Sequence, residues 1–301
     1  MIVTDWSEII ITHFLKHFVF VRDTVFRTER GVLVMRSPLE SLLPGMELHI
    51  LVISAWADLL NYEEKFRQKG SITRLFCSVN MLNEEDYNKS AKTRSKTFAE
   101  NMEPVLISAD VKKIPDKSLV FVPVLHADHF YCVCFNLRDM KVEVLDNSAK
   151  DVSMKDKYNE RPEKLRDALS VYLENIGHPV GGVIGQVEPV RLEMPWRTKH
   201  NVIDCGVFLM RHMETYKGVD GNGWECGFSN ECTDAGEITY KHRKEIDDLR
   251  HKYIVKMLLS DADTYKSFVE SDVAKYKKLS AGEKKRLHAA TFDAIKERLD
   301  N

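Results

Sequence analysis

The sequence predicts an α+β fold in which helices flank a mixed central sheet. Two strand patterns, Phe130–Leu137 and Lys141–Leu145, are separated by a short polar turn, which is typical of a β-hairpin. Apolar residues recur at helical spacing over 47–65 and again over 161–176. Cys205 directly precedes another apolar stretch of helical character. Segments of both kinds in one chain are typical of a sheet that packs against helices.

The segments before the hairpin contribute elements of both kinds. Residues 9–21 are rich in apolar and aromatic side chains and fit either a helix or a strand, whereas residues 26–35 predict a pair of strands. Pro44-Gly45 marks a turn. Residues 84–102 are polar and predict a surface loop or helix, and Ser118–Val124 predicts a strand that leads into the hairpin.

Helical patterns dominate the chain after the hairpin. Residues 180–192 contain three glycines and predict a further strand, and residues 218–236 predict a loop that contains glycine and cysteine. From residue 237 onward the pattern is helical. Ser280 and Glu283 have the spacing of a capping box, which predicts the start of a last helix.

Composition excludes several classes of protein. The chain has 301 residues, 44% hydrophobic and 30% charged, which is ordinary for a soluble globular protein. A net charge of -2 gives no basic field for nucleic acid. Asp5 and Glu8 precede the first apolar stretch, so we expect no secretory signal. Six cysteines in a chain of this length favour a reducing compartment. We expect a nuclear or cytoplasmic monomer without membrane or nucleic-acid partners.

Cys205 is the candidate nucleophile. It stands at the predicted start of a helix, where the macrodipole places partial positive charge. That position favours the thiolate, which is the reactive form of cysteine. A buried free cysteine is otherwise a common structural residue, so its assignment depends on finding a base and an orienting group.

His129 and Asp146 supply those two roles. His129 begins one strand of the hairpin and Asp146 follows the end of the next strand, 17 residues on. Because the start of one strand lies beside the end of its partner, we expect the two side chains to be neighbours. The alternative readings are a structural histidine and an Asx-turn aspartate. His126 is a rival base, but it lies three residues earlier and no aromatic residue follows it.

The order His129-Phe130, Leu145-Asp146-Asn147-Ser148 and Asp204-Cys205-Gly206-Val207-Phe208 resembles the ubiquitin-like-protein-specific protease (Ulp/SENP-type) family of the adenain-like clan. The texture most resembles divergent plant, transposon-associated members. Further similar segments are Leu39-x-x-Leu42-x-Pro44-Gly45, Val52-Ile53-x-x-Trp56 and Leu249-Arg250-x-Lys252-Tyr253. The resemblance predicts an N-terminal extension over 1–25, a protease domain over 26–260 and a helical tail over 261–301.

The resemblance implies a papain-like fold and a defined chemistry. It implies cleavage after the C-terminal Gly-Gly of a ubiquitin-like modifier such as SUMO, with the modifier or its conjugates as partner and no cofactor. Carried over by position, Cys205 attacks, His129 is the general base and Asp146 orients it. The backbone N–H of Cys205 would serve the oxyanion hole.

Three positions depart from the family pattern. The family has a glutamine six residues before the nucleophile as a side-chain oxyanion donor, and Lys199 stands there in this chain. Candidate substitutes with N–H donors are Arg197, Trp196 and Asn201. The aromatic residue after His129 is Phe130 rather than tryptophan, and Glu47-Leu48 replaces the Trp-Leu pair after the Pro-Gly turn. Loss of one oxyanion donor costs roughly 10²–10³ in rate.

Two other functions and two further sequence patterns are compatible with the chain. A protease-like module that binds a modifier without turnover would explain the missing glutamine, and an endopeptidase on other substrates is a third possibility. Cys226, Cys232, His212 and His242 form a loose zinc pattern, but the chain has no C-x-x-C pair, so no metal is predicted. The basic residues within 275–286 fit a nuclear signal or a solvated helix face.

Overall fold

The structure is a computed structural model that describes residues 24–29, 31–149, 152–219, 221–232 and 238–286. The chain forms two compact units, one of residues 50–246 and one that combines the parts before and after them. The element predicted within 9–21 lies outside the described residues. No helix in the described ranges is long and apolar enough to span a membrane.

Strands and helices are interspersed along the described residues. The strands are β1 (Thr24–Arg27), β2 (Leu33–Met35), β3 (Thr73–Phe76), β4 (Ser118–His126), β5 (His129–Asn136), β6 (Lys141–Leu145) and β7 (Pro189–Arg191). The helices are α1 (Arg36–Glu40), α2 (Ile50–Glu64), α3 (Ala91–Ala109), α4 (Met154–Tyr158), α5 (Arg161–Asn175), α6 (Gly181–Ile184), α7 (Cys205–Thr215), α8 (Tyr240–Leu258) and α9 (Lys266–Lys277).

A five-stranded mixed sheet is the centre of the 50–246 unit. Its order is β3-β4-β5-β6-β7, with antiparallel pairs in the middle and a parallel pair at each edge. The predicted mixed sheet and its β5–β6 hairpin are therefore confirmed. Strands β4 and β5 are almost continuously apolar. Both of their faces are buried, so they lack the alternation of apolar and polar residues that is typical of a strand with one exposed face.

Helices cover both faces of this sheet. Val122, Val133 and Val144 belong to a core cluster that also contains residues of α3 and α5, such as Phe98 and Leu169. Side chains of the opposite parity point to the other face. There, Phe121 packs edge-on against the ring of Tyr216, at 6.3 Å between centroids, just after α7. Helix α7 contacts β5, the strand that begins with His129.

Residues 180–192 depart from the predicted strand. Residues 181–184 form the short helix α6, and only Pro189–Arg191 pairs with the sheet. The prediction of a strand was wrong at this glycine-rich start, because Gly181 allows α6 to pack closely against the end of α5. A Cβ at Gly181 would lie 2.7 Å from the backbone N of Glu174, and Ser170 Oγ donates to the Gly181 carbonyl at 2.7 Å.

The second unit contains the β1–β2 hairpin, α1, α9 and the part of α8 from residue 247 on. Arg250 is fully buried and donates to the carbonyls of Ser41, Leu43 and Met46 at 2.8–3.0 Å. These bonds satisfy backbone carbonyl groups in the irregular segment that follows α1. Hydrogen bonds from a charged guanidinium are stronger than those between neutral groups. The predicted capping box also forms, because Glu283 N donates to Ser280 Oγ while the Glu283 carboxylate accepts from Ser280 N.

Candidate active site

The register of the β5–β6 hairpin places His129 and Asp146 on one face. Cys132 pairs with Leu145, so the next position, Asp146, lies opposite Tyr131. His129 lies two residues before Tyr131 and therefore projects to the same side as Asp146. His129 Nε2 lies 2.7 Å from Asp146 Oδ1. The structure thus brings the predicted base and its orienting carboxylate together.

Asp146 is fully buried within a set of donors. Its Oδ1 also accepts the backbone N–H of Ser148 at 2.9 Å, and its Oδ2 accepts the Tyr158 hydroxyl at 2.7 Å. The Lys157 ammonium lies 2.7 Å from the same Oδ2. Burial pushes the pKa of Asp146 upward, but the bond and charge of His129, together with Lys157, outweigh it and hold that pKa well below its usual range. The carboxylate therefore stays ionised at working pH.

Cys205 is the first residue of α7 and lies against the start of β5. The backbone N–H of Phe130 points at Cys205 Sγ across 3.5 Å. Burial lowers the pKa of His129, but hydrogen bonds to Asp146 and Cys205 and the charges of both groups raise it to about 9. An imidazolium between a thiolate and a carboxylate is the arrangement that a thiol protease needs before attack.

Two long-range hydrogen bonds hold helix α7 in place, one to helix α2 and one to the sheet. Trp56 of α2 donates its indole N–H to the carbonyl of Met210 at 3.1 Å. Tyr216, immediately after α7, donates its hydroxyl to the Glu143 carboxylate of β6 at 2.7 Å. Both bonds are buried, so rotation of α7 about its axis would leave polar groups unsatisfied. This fixes the direction in which Cys205 points.

The three candidate oxyanion side chains already have partners inside the protein. Trp196 donates its indole N–H to His212 Nε2 at 3.1 Å, and burial lowers the pKa of His212 to about 3, so His212 is a neutral acceptor. Asn201 Nδ2 donates to Asp204 Oδ2 at 2.8 Å. Arg197 forms an ion pair with Glu193. Each of these three side chains is thus hydrogen-bonded or ion-paired within the protein.

Backbone N–H groups at the start of α7 are further candidate oxyanion donors. The first N–H groups of a helix have no partner within the helix and point out of its N-terminus. In α7, Val207 and Phe208 donate to the Asp204 carbonyl, which leaves the N–H groups of Cys205 and Gly206 ahead of the helical pattern. Phe130 is buried, and its backbone N–H points at the Cys205 thiol.

Sequence reasoning missed Lys157, Tyr158 and Glu231. Lys157 and Tyr158 end the short helix α4, and they reach Asp146 only after the chain has turned back over the sheet edge. The Glu231 carboxylate accepts backbone N–H groups of Lys199 and Asn201, just upstream of the nucleophile. No motif or spacing signals these contacts, because each joins segments that are distant or irregular.

The residues of the loose zinc pattern lie apart in separate interactions. His212 accepts from Trp196, while His242 Nδ1 lies 2.9 Å from the Ser229 carbonyl oxygen. Within the described ranges, one other group of three residues with ligand atoms within 4.8 Å of one another is His200, Glu231 and Cys232. Both oxygens of Glu231 already accept backbone N–H groups, so its lone pairs are committed to the chain.

Comparison with known proteins identifies the fold. No protein-family model matches the sequence, and no curated protein matches it. Among solved structures, the yeast Ulp1 protease domain in complex with Smt3, the yeast ortholog of SUMO, superposes with a TM-score of 0.55 at 12% identity, over 86% of this chain and 96% of that one.

Two further structures of the SUMO protease Ulp1 agree with that match. In one the catalytic cysteine is oxidised to a sulfenic acid and the TM-score is 0.54; in the other it is a sulfonic acid and the TM-score is 0.55. Both are 12% identical, and each covers 86% of this chain and 96% of its own. This chain therefore has the fold of the Ulp1 cysteine protease catalytic domain, a mixed sheet flanked by helices.

Proposed function

We propose that this protein is a thiol protease that cleaves after the C-terminal Gly-Gly of a ubiquitin-like modifier of the SUMO type. Processing of a precursor and release from a lysine isopeptide bond use the same chemistry. The observation that carries the proposal is the pairing of His129 with buried Asp146 at 2.7 Å, while the N–H of the next residue, Phe130, points at Cys205 Sγ. The modifier is inferred from the fold, because a solved protein with this fold binds Smt3.

The geometry supports a two-step reaction. The Cys205 thiolate attacks the carbonyl carbon of the modifier's last glycine, and the oxyanion forms beside the N–H groups at the start of α7. His129 then gives its proton to the leaving amine, which yields a thioester. Water attacks the thioester with His129 as base, and the thiolate leaves. Asp146 holds the imidazole in one orientation and stabilises its positive charge throughout.

An activity-based probe tests this function directly. SUMO and ubiquitin, each carrying a C-terminal vinyl sulfone, would be incubated with the full chain and with Cys205→Ala. We expect a covalent adduct with the SUMO probe that is absent in Cys205→Ala. Cys226→Ala is a matched control, because Cys226 is also a buried free thiol but lies outside the candidate site. No adduct, or an adduct that survives Cys205→Ala, would reject the proposal.

A modifier-binding module without turnover is the second candidate. The observation that favours it is the internal engagement of Arg197, Trp196 and Asn201, which leaves the oxyanion hole to backbone donors. Calorimetric measurement of modifier binding, together with an assay of Gly-Gly cleavage, distinguishes the two candidate functions. A modifier that binds with micromolar affinity, but whose Gly-Gly amide survives a long incubation with stoichiometric protein, would favour the binding module.

A further inference from the structure

Glu231 lies in a concavity formed by backbone N–H groups. Its side chain is buried, with 5% of the residue exposed. Lys199 N donates to Oε2 at 2.6 Å and Asn201 N donates to Oε1 at 2.7 Å. Between them, His200 N lies 3.1 Å from Oε1 and 3.2 Å from Oε2. Three consecutive N–H groups that converge on one anion form a backbone nest, here filled by a side chain of the same protein.

A short series of hydrogen bonds connects the nest to the residue before the nucleophile. The Asn201 side-chain oxygen accepts from Ile203 N at 3.3 Å and from Asp204 N at 3.0 Å, and its amide donates to the Asp204 carboxylate. Asp204 is the N-cap residue of α7, and its carbonyl accepts from Val207 and Phe208. The position of Asn201 thus sets the backbone that immediately precedes Cys205.

We propose that Glu231 is a positioning residue for the reaction, which anchors the segment 199–204 so that the N–H groups at the start of α7 face the oxyanion. This inference rests on the proposed function. It explains how a site without the glutamine side chain keeps a defined oxyanion hole. Backbone donors act only as well as their position is fixed, because a displacement of about 1 Å at a reacting centre can cost 10²-fold in rate.

The chemistry of the nest requires a carboxylate. Each of the two oxygens faces backbone donors, so both must be acceptors. Glu231→Gln keeps the shape but turns one oxygen into an NH₂ group, which then faces a backbone N–H. A buried donor that faces another donor loses its hydrogen bond and destabilises that arrangement. We therefore expect the variant to lose the hydrogen bond to either Lys199 N or Asn201 N, while the core of the 50–246 unit stays folded.

The test separates positioning from folding by three measurements on wild type and Glu231→Gln. Turnover of a SUMO C-terminal aminocoumarin substrate gives kcat and KM. Alkylation of Cys205 by iodoacetamide, followed by peptide mass spectrometry, reports the thiolate without needing an oxyanion hole. Hydrogen exchange of peptides that cover 199–201 reports the anchor itself. We expect kcat to fall about 10- to 100-fold, alkylation to change less than about twofold, and exchange at 199–201 to accelerate.

Asp86→Asn is the matched control. The Asp86 carboxylate is also buried, accepts a backbone N–H from Asn83 at 2.9 Å and pairs with the Lys89 ammonium at 2.8 Å, so its loss also perturbs the fold. We expect its kcat to stay within about twofold of wild type.

Three outcomes would overturn the positioning role. These are a Glu231→Gln variant with wild-type kcat, one whose alkylation rate falls in parallel with kcat, and one with unchanged exchange at 199–201. An unreactive wild type would instead reject the proposed function, while exchange would still test the anchor.

Discussion

Thr198 and Asn147 join the segment that leads to the candidate nucleophile, Cys205, and the segment that carries its orienting carboxylate, Asp146. Thr198 N donates to the Asn147 carbonyl at 2.6 Å, and Asn147 Nδ2 donates to Thr198 Oγ1 at 2.9 Å. Asn147 follows Asp146 directly, and Thr198 precedes the segment anchored by Glu231. A displacement of either segment therefore changes the distance between Cys205 and the His129–Asp146 pair.

Replacement of Thr198 by valine should weaken both stability and turnover. Valine keeps the shape but removes the oxygen that accepts from Asn147, so a buried amide loses a partner. We expect a loss of about 1–3 kcal/mol in the free energy of unfolding, measured by urea denaturation, and a lower kcat. Thr264→Val, which removes a hydroxyl that donates to the Arg27 carbonyl in the other compact unit, should leave kcat unchanged. Equal kcat values for Thr198→Val and wild type would contradict the coupling.

The pH profile of kcat/KM should fall on the alkaline side at about pH 9. The pKa of His129 is raised to about 9, so the imidazolium persists up to that pH and is lost as pH rises through it. Without that proton the leaving amine has no acid. Asp146→Asn removes the negative charge that supports the imidazolium, so the descending limb should move to lower pH. If the descending limb lies at the same pH in Asp146→Asn as in wild type, the limb does not report the titration of His129.

Removal of the Lys157 charge should move the same limb to higher pH. Lys157 lies 2.7 Å from Asp146 Oδ2 and competes with His129 for the carboxylate's charge. In Lys157→Met the carboxylate acts more fully on the imidazolium, which raises its pKa. Lys155→Met is the control, because Lys155 lies on the same helix with 79% of its side chain exposed. A shift to lower pH, or equal shifts in both variants, would reject this assignment.

Asp263→Asn should raise thermal stability at neutral pH. Asp263 Oδ1 accepts from Arg27 N and Tyr265 N, while Oδ2 is buried and has no hydrogen-bond partner among the described residues. Burial raises the pKa of Asp263 to about 6, so its uncharged form is favoured in the folded state. That contribution is complete below the unfolded pKa of about 4 and is lost as pH rises through about 6.

The asparagine variant keeps the Oδ1 acceptor and carries no charge at any pH. Its Tm advantage over wild type should be largest at pH 7 and vanish near pH 4, with about 2–4 °C for each kcal/mol gained. Asp261→Asn is the control, since Asp261 is 74% exposed and pairs with Lys266 at the surface. An Asp263→Asn protein with a lower Tm than wild type at pH 7 would refute the sign of this effect.

The sequence carried enough information for the hairpin that holds His129 and Asp146. A turn of few residues between two apolar runs sets the register, and the register sets which side chains share a face. The start of α7 was also predictable, because an apolar run of helical period follows Cys205 directly. These predictions depend on neighbours within one or two elements, where local spacing determines geometry.

The surroundings of the site could not be predicted in the same way. Glu231 reaches Lys199 across 32 positions, and both residues lie outside helices and strands, where no periodic pattern marks them. Lys157 and Tyr158 contact Asp146 from a helix of five residues, which is too short to show a periodic pattern. The strand predicted over 180–192 failed because glycine gives the same signal for a turn, a bulge and a close helix contact. Tertiary packing decides between these, and one sequence does not contain it.

The register of β5 and β6 also limits how this gene can change in length. One residue inserted within β6 before Asp146 would reverse the side that each later residue faces, and the carboxylate would leave His129. An insertion in the Arg138–Met140 turn leaves the strand pairing intact and lengthens only a surface loop. Natural variants of this hairpin should therefore gain and lose residues at the turn, and the two strands should keep their lengths.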